Sequence, residues 1–282
     1  MLDWDDLRHF TALADAGTLS AAARRLRVEH ATVARRVAAL EAATGAKLVD
    51  RRSGRYVLTE AGQRVAEHAR RMEDEAFALE RSLQGSRETV AGTVSVSAPP
   101  LFASMLLAPR LADLRRRHPH LHLRLLGEAR TVSLSRGEAD VVLRVGRPAD
   151  PTLVVRLAGS LAYGLFAAPG YAEATPAADV AFIAFDESLD HLPQQMLLLE
   201  EAGERPVVLR SNDLAIQMAA AQGGAGVVAL PAFAAVQAGL VPVSPRRLTR
   251  DLWLAYHQDL RGSAAVAAMV GFLVECFAAI RA

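Results

Sequence analysis

The chain has 282 residues, 51% of them hydrophobic, and a formal net charge of +1. That length holds two or three domains, and so high an apolar fraction excludes a disordered chain. A single cysteine, Cys276, excludes an intrachain disulfide framework and suits a reducing compartment.

The N-terminus, Met1-Leu2-Asp3-Trp4-Asp5-Asp6, is acidic and lacks the basic and apolar regions of a secretory signal. No apolar run approaches the ~18 residues that span a bilayer. A cytoplasmic protein without membrane contact is expected. The first predicted helix covers residues 5–16, with Leu7, Phe10, Leu13 and Ala14 on one face and Gly17 ending it. Thr18 or Ser20 caps a second helix to about residue 26. Its alanines, Ala21, Ala22 and Ala23, let a neighbouring helix cross closely. A third helix runs from about 29 to about 44. Val33, Val37 and Leu40 form its buried stripe, and Gly45 stands where a left-handed cap belongs. His30, Ala31, Ala34 and Arg35 lie off that stripe and face outward, with Thr32 beside them and Arg36 either there or toward the packing edge with the second helix. Two short helices joined by a tight turn, the second bearing exposed arginines, form the arrangement that enters a DNA major groove. A histidine there can hold a phosphate when charged or read a base edge when neutral.

From Arg24 to Arg55, nine basic residues stand against Glu29, Glu41 and Asp50. Such a local excess is a footprint for phosphates, although a solvated surface explains it as well. Residues 47–50 and 56–59 read as two strands about a Ser53-Gly54 turn. This wing carries Arg51, Arg52 and Arg55 near its tip, toward backbone phosphates. A long helix follows over 60–86. Val65, Ala69, Met72, Ala76, Leu79 and Leu83 are spaced 4-3-4-3-4, a heptad seam that predicts a dimer contact. The alternative is an amphipathic helix lying on its own domain. Gly85 and Gly92 bracket a linker.

Beyond Gly92 the pattern changes to strands alternating with helices, the grammar of open α/β sheets. Predicted strands fall at 94–97, 121–125, 139–145, 154–157, 161–167, 180–185, 207–210, 226–230 and 253–257. Predicted helices cover 100–118, 132–136, 213–222, 231–238 and 264–279. Gly223-Gly224-Ala225-Gly226 follows a helix and precedes a strand, the reverse of a nucleotide fingerprint, so it reads as a helix cap and turn. His120 and His122 share a strand face without a nearby acid or cysteine to complete a metal site. Cys276 reads as core, and no serine or cysteine has a base partner. No catalytic site, cofactor or metal is expected. A stand-alone ligand carrier would account for the α/β part but leaves the basic N-terminal helices unexplained.

With those residues in view, the chain resembles the LysR-type transcriptional regulators from about Trp4 to its end. The specific string is Ala21-Ala22 through Leu26, then Val33, Arg35 and Leu40-Glu41, Gly45-x-x-Leu48, Arg51, and Leu58-Thr59-Glu60-Ala61-Gly62. Weaker phrases follow in family order: Gly92-x-Val94, Pro109-x-Leu111 with His118-Pro119, Gly137-Glu138-Ala139-Asp140, Ala168-Pro169-x-Tyr171, Ser211-Asn212-Asp213, and Gly224-x-Gly226 with Leu230-Pro231. The resemblance implies an α+β protein in three parts. These are a winged helix-turn-helix over 1–59, a dimerising linker helix over 60–90, and an effector domain over 91–282. The last resembles a periplasmic binding protein of two α/β lobes, lobe I at about 91–160 and 260–282 and lobe II at about 161–259. The chain would cross between them near 159–162 and near 258–262.

The resemblance further implies a homodimer, commonly paired into a tetramer, on an interrupted palindrome of double-stranded DNA, with contact to RNA polymerase in some members. It also implies a small-molecule effector between the lobes. Relatives usually open the third helix with a serine-glutamine-proline or serine-glutamine-serine run. This chain has Glu29-His30-Ala31, and Ala34 where a serine is frequent, so no operator sequence carries over. By family position the cleft is lined by Ser97, Pro99, Pro100, Leu101 and Phe102, by Arg144 and Val145, and by Ser211 and Asn212, with Phe185 and Gly226 nearby. Pro99 and Pro100 supply no N–H where carboxylate-binding relatives offer hydroxyls. A cleft more apolar than usual is expected, with Phe102 against the ligand and Arg144 or Asn212 at its polar end.

Overall fold

The computed structural model describes residues 2–52, 55–85, 89–128 and 132–278. The chain divides into two compact units, Met1–Glu80 and Arg81–Ala282.

In the first unit, α1 (Trp4–Ala16) starts on the Asp3 cap and ends at Gly17, whose φ of 69° is open to glycine without cost. α2 (Leu19–Leu26) takes Thr18 as its cap, the Oγ1 accepting from the Ala21 N–H. α3 (His30–Thr44) ends at Gly45 in the left-handed conformation. Phe10, Leu13, Ala22, Val33, Val37 and Leu40 close one core among these three helices. The wing is an antiparallel pair, β1 (Val49–Arg52) on β2 (Arg55–Leu58), with Val49 opposite Leu58 and Arg52 opposite Arg55. Its Ser53-Gly54 turn lies outside the described residues.

Glu41 fastens β1 to α3. Its carboxylate accepts from the Leu48 N–H at 2.8 Å, the Val49 N–H at 3.3 Å and Lys47 Nζ at 2.7 Å. Burial pushes this carboxyl up, but the Lys47 hydrogen bond and the two backbone donors outweigh it and hold the group below its ordinary range. A depressed folded-state pKa contributes stability that is full above the unfolded value of about 4.3 and is lost as pH falls through the folded value. Glu41→Ala is expected to cost about 2 kcal/mol at pH 7. In urea melts, the difference between the two proteins should shrink between pH 5 and pH 3. A constant difference would contradict this account.

α4 (Glu60–Gly85) begins on a second fastening. Thr59 Oγ1 donates to the Lys47 carbonyl at 2.7 Å and accepts from the Gly62 N–H at 3.0 Å. Ser86, the expected end of this helix, lies outside the described residues. The boundary between the two units falls inside α4, the helix over which the linker was expected. Ala66 and Ala69 are buried in the first unit's core with Val65 packed against it.

The second unit is an eight-stranded sheet in the order β4-β3-β5-β10-β6-β9-β7-β8. One side holds β3 (Gly92–Ala98), β4 (Leu121–Gly127) and β5 (Val141–Val145). Between β3 and β4 the chain is helical in pieces, from α5 (Pro100–Phe102) to α6 (Leu111–Arg117), broken by a π turn and a 3-10 turn around Pro109. The expected unbroken helix fails because that proline offers no N–H. The expected helix at 132–136 is a turn. Glu138 takes the Ser133 N–H at 3.0 Å, and Ser133 Oγ takes the Arg136 N–H at 3.3 Å, which satisfies the backbone without a helix.

The other side holds α7 (Pro169–Ala174), β7 (Phe182–Ala184), α8 (Pro193–Ala202), β8 (Val207–Arg210), α9 (Leu214–Gln222), β9 (Val227–Pro231) and α10 (Ala232–Gln237). Two long antiparallel strands, β6 (Leu153–Ala167) and β10 (Val241–His257), serve both sides. β10 also pairs with β5 from Leu252 to Tyr256, and β6 pairs with β9 from Tyr163 to Phe166. The register between β6 and β10 shifts at Leu252/Trp253, opposite Gly159 and Leu157. The expected outward crossing, near 159–162, lies on β6 beside that irregularity. The return crossing is a correction: it lies at Leu252–Trp253, not near 258–262, because β10 stays hydrogen-bonded to β6 through both lobes. Lobe II therefore ends near 251. Gln258–Leu260 is a 3-10 turn leading into α11 (Ala264–Ala278). Residue 279, where the closing helix was expected to end, lies outside the described residues. α11 packs Met269, Leu273 and Phe277 beneath lobe I. Cys276 is buried there, which pushes its thiol up to about 11 and leaves it unreactive.

Candidate functional site

Two regions carry functional side chains, one in each unit. In the first unit, α3 turns Val33, Val37 and Leu40 inward and leaves His30, Ala31, Ala34 and Arg35 exposed, with Thr32 half-buried. Glu29 caps α3 without a side-chain bond, while its carbonyl accepts from the Thr32 N–H at 3.0 Å and the Val33 N–H at 3.4 Å. Arg36 is placed differently from the expected groove contact. Its guanidinium donates to Asp6 at 3.1 Å and lies 3.6 Å from both Asp3 and Asp5. The Asp6 hydrogen bond raises its pKa, and the side chain ties α3 to the start of α1. The turn between α2 and α3 runs through Arg27 in the left-handed region, φ 57°, a conformation that costs a non-glycine residue about 1 kcal/mol. Arg55 on the wing is exposed, and the side chains of Arg51 and Arg52 lie outside the described residues.

The predicted heptad seam splits. Val65 and Ala69 face the core, as the alternative reading of this helix has it. Ala76 is exposed, and Met72, Leu79 and Leu83 are 48%, 64% and 62% exposed, a bare apolar stripe along the rest of α4.

In the second unit, a cavity of about 350 Å³ opens between the lobes, with β6 and β10 both in its lining through Tyr163 and Arg250. Pro99, Pro100, Leu101 and Phe102 line one wall, as expected, with Arg144 and Val145 next to them. Phe185 and Asn212 line the opposite wall. Three expected residues stand outside the lining. Ser97 is fully buried, and its Oγ and carbonyl accept from Arg144 at 2.9 and 3.2 Å, so it positions that arginine. Ser211 shapes its turn: its Oγ accepts from the Asp213 N–H at 3.2 Å, and its carbonyl accepts from Gln217 at 2.7 Å. Gly226 is buried in the sheet at φ 155°, where a Cβ would stand 2.6 Å from the Ala181 carbonyl oxygen. Its lack of a side chain serves close strand packing, not the cavity.

Sequence reasoning missed Tyr163, Leu189, Leu192, Gln194, Leu214 and Arg250, which complete the lining with Asp213. Tyr163 is 1% exposed, and burial pushes its hydroxyl up to about 12. Gln194 opens α8, and that helix had a legible signal in Pro193 at its first turn and Gly203 just past its end. Gln195 beside it accepts from the Phe185 N–H at 3.0 Å and donates to Asp190 at 2.9 Å, fixing the wall that Phe185 belongs to. No group of three or more metal-ligating side chains gathers among the described residues, His120 and His122 included. No helix among them is long and apolar enough to cross a membrane.

Comparison with known proteins follows this division. The family model for the bacterial regulatory helix-turn-helix protein, lysR family, matches residues 4–63, and the one for the LysR substrate binding domain matches 87–278. The chain is 28% identical over 280 residues to the Mau operon transcriptional activator of Paracoccus denitrificans, covering 98% of this chain and 97% of that protein. It is 34% identical over 235 residues to the AhcY transcriptional activator HvrB of Rhodobacter capsulatus, covering 78% and 77%. Among solved structures, the full-length Vibrio cholerae virulence activator AphB superposes with a TM-score of 0.63 at 19% identity, over 97% of this chain and 99% of that one. CrgA of Neisseria meningitidis gives 0.56 at 24%, over 98% and 99%.

Proposed function

The chain belongs to the LysR family of bacterial transcriptional regulators, and on that premise we propose how its two functional regions work. It is a regulator with a helix-turn-helix DNA-binding domain and a substrate-binding effector domain. α3 enters the major groove of an interrupted palindrome, with Arg35 reaching a base edge and the wing arginines held on phosphates. The bare stripe Met72, Leu79 and Leu83 joins two copies as a homodimer, paired further into a tetramer. A small ligand in the interlobe cavity favours one lobe arrangement at the hinge beside Gly159 and Leu252, and so changes the spacing of the two α3 helices on DNA. The mechanism contains no catalytic step and works inside the cell, where the operator is.

The observation that carries this reading is the outward face of α3. Exposed His30, Ala31, Ala34 and Arg35 stand over a buried stripe, with no side-chain cap at the helix N-terminus. Fluorescence anisotropy with duplex DNA tests it. Arg35→Ala is expected to weaken specific binding by about 1–3 kcal/mol. Arg55→Ala is expected to weaken binding to every sequence alike and to lower the salt slope by about one unit. Unchanged affinity in both variants would remove α3 and the wing from the interface.

A further inference from the structure

We propose that the interlobe cavity takes a small monocarboxylate with a compact apolar body, and that Arg250 is the residue that selects for its charge. This inference rests on the cavity being the effector site. Arg250 stands on β10 beside the hinge, partly buried, and its Nη1 donates to Gln194 Oε1 at 2.6 Å. Gln194 is itself only 6% exposed. The partner is neutral, and among the described residues no carboxylate lies within ion-pairing distance of Arg250. Of the other arginines of this unit, Arg246 is matched by Glu200, Arg117 by Glu275 and Arg210 by Asp190, while Arg205 and Arg247 donate to backbone carbonyls away from the cavity lining. The acid that does line the cavity, Asp213, gives its Oδ1 to the Ala215 N–H at 2.7 Å as the cap of α9.

A partly buried cation without a counter-charge is unfavourable, and an anion from solution removes the imbalance. The planar guanidinium fork matches a carboxylate edge to edge, and Gln194 occupies a single N–H of that fork. Pro99 and Pro100 offer an anion no N–H from their wall, which leaves the Arg250 fork as its main partner. A second carboxylate finds no matching site, because Arg144 is already committed to the Ser97 and Leu143 carbonyls and to Ser97 Oγ. Apart from Tyr163 and Asn212, the rest of the lining is apolar. Phe102, Phe185, Leu189, Leu192 and Leu214 surround the space, and Phe102 is braced by Phe233 at 5.8 Å between ring centres. Such walls select an aromatic or branched-chain body.

Thermal-shift and calorimetric titrations of the full-length protein test this with benzoate, phenylacetate and 3-methylbutanoate, against neutral benzamide and the dianion succinate. At least one monocarboxylate is expected to bind roughly tenfold or more tighter than benzamide and succinate. Arg250→Met should weaken that monocarboxylate roughly tenfold or more and spare benzamide. Gln194→Glu keeps the shape and the arginine but places a carboxylate against it, and should have the same effect even if Arg250→Met folds poorly. Leu192→Trp fills the cavity and should abolish all binding. Binding that survives Leu192→Trp overturns the cleft itself. Binding lost in Leu192→Trp but unchanged in Arg250→Met and Gln194→Glu leaves the cleft standing and overturns the charge assignment. Equal binding of benzamide or succinate, or no binding by any of the three monocarboxylates, overturns the ligand class.

Discussion

Gly62→Ala is expected to unhinge the wing from α4, at a cost of about 3 kcal/mol or more. Helix propensity alone points the other way, since alanine is favoured over glycine in a helix by about 1 kcal/mol. Contact geometry decides the sign. A Cβ on Gly62 would stand 2.0 Å from the Leu48 carbonyl oxygen and 2.9 Å from its carbon. Those are backbone atoms of a fully buried residue, and that oxygen also accepts from the Thr59 N–H at 3.0 Å. Retreat of Leu48 would break that bond and the one from its own N–H to Glu41. For a unit whose whole stability is about 5–15 kcal/mol, such a loss is large. Urea unfolding of the full-length chain, followed by helical circular dichroism, should show an early transition. A variant as stable as wild type would mean that the close approach of Leu48 to Gly62 is not rigid.

Leu79→Glu is the second large effect, and it acts on assembly rather than folding. Leu79 is 64% exposed and belongs to no buried core of its own chain, so the monomer should melt nearly unchanged. In a twofold contact each substitution counts twice, because the same patch lies on both copies. Burying two like charges in an apolar seam should weaken the dimer by about 4 kcal/mol, roughly a thousandfold. Sedimentation at micromolar concentration is expected to show dimers or tetramers for wild type and monomers for the variant. If both sediment alike, the stripe on α4 is not where the copies meet.

Much of this was legible residue by residue. The spacing of Val33, Val37 and Leu40 orients α3 because a 3.6-residue period places them on one face, and so the exposed face follows. The run from Thr59 to Gly62 was recognisable as a pattern. Its reason, a cap and a close backbone approach, needed three dimensions. Heptad spacing from Val65 to Leu83 could not tell which half of the stripe its own domain would cover, because apolar periodicity is identical for either partner. Ser97 and Ser211 occupy the right segments but turn away from the cavity, since side chains alternate along a strand and hydroxyls close local turns. Arg250 was not visible at all. It sits in a polar stretch, Pro245-Arg246-Arg247-Leu248-Thr249-Arg250-Asp251, that lacks the alternation of a half-buried strand. Only pairing with β6 makes that stretch part of β10, and the same pairing moves the return crossing to Leu252.

The central claim is that α3 reads a specific DNA sequence as one of a symmetric pair. Selection from a random duplex library by the full-length protein tests it most directly, repeated with Arg35→Ala. Wild type is expected to enrich two inverted half-sites spaced by about one helical turn or a multiple of it. Arg35→Ala should enrich a motif relaxed at the same position in both halves, and both enrichments should fade as salt rises. A library that stays random after repeated rounds, or an identical motif from wild type and Arg35→Ala, would contradict the account.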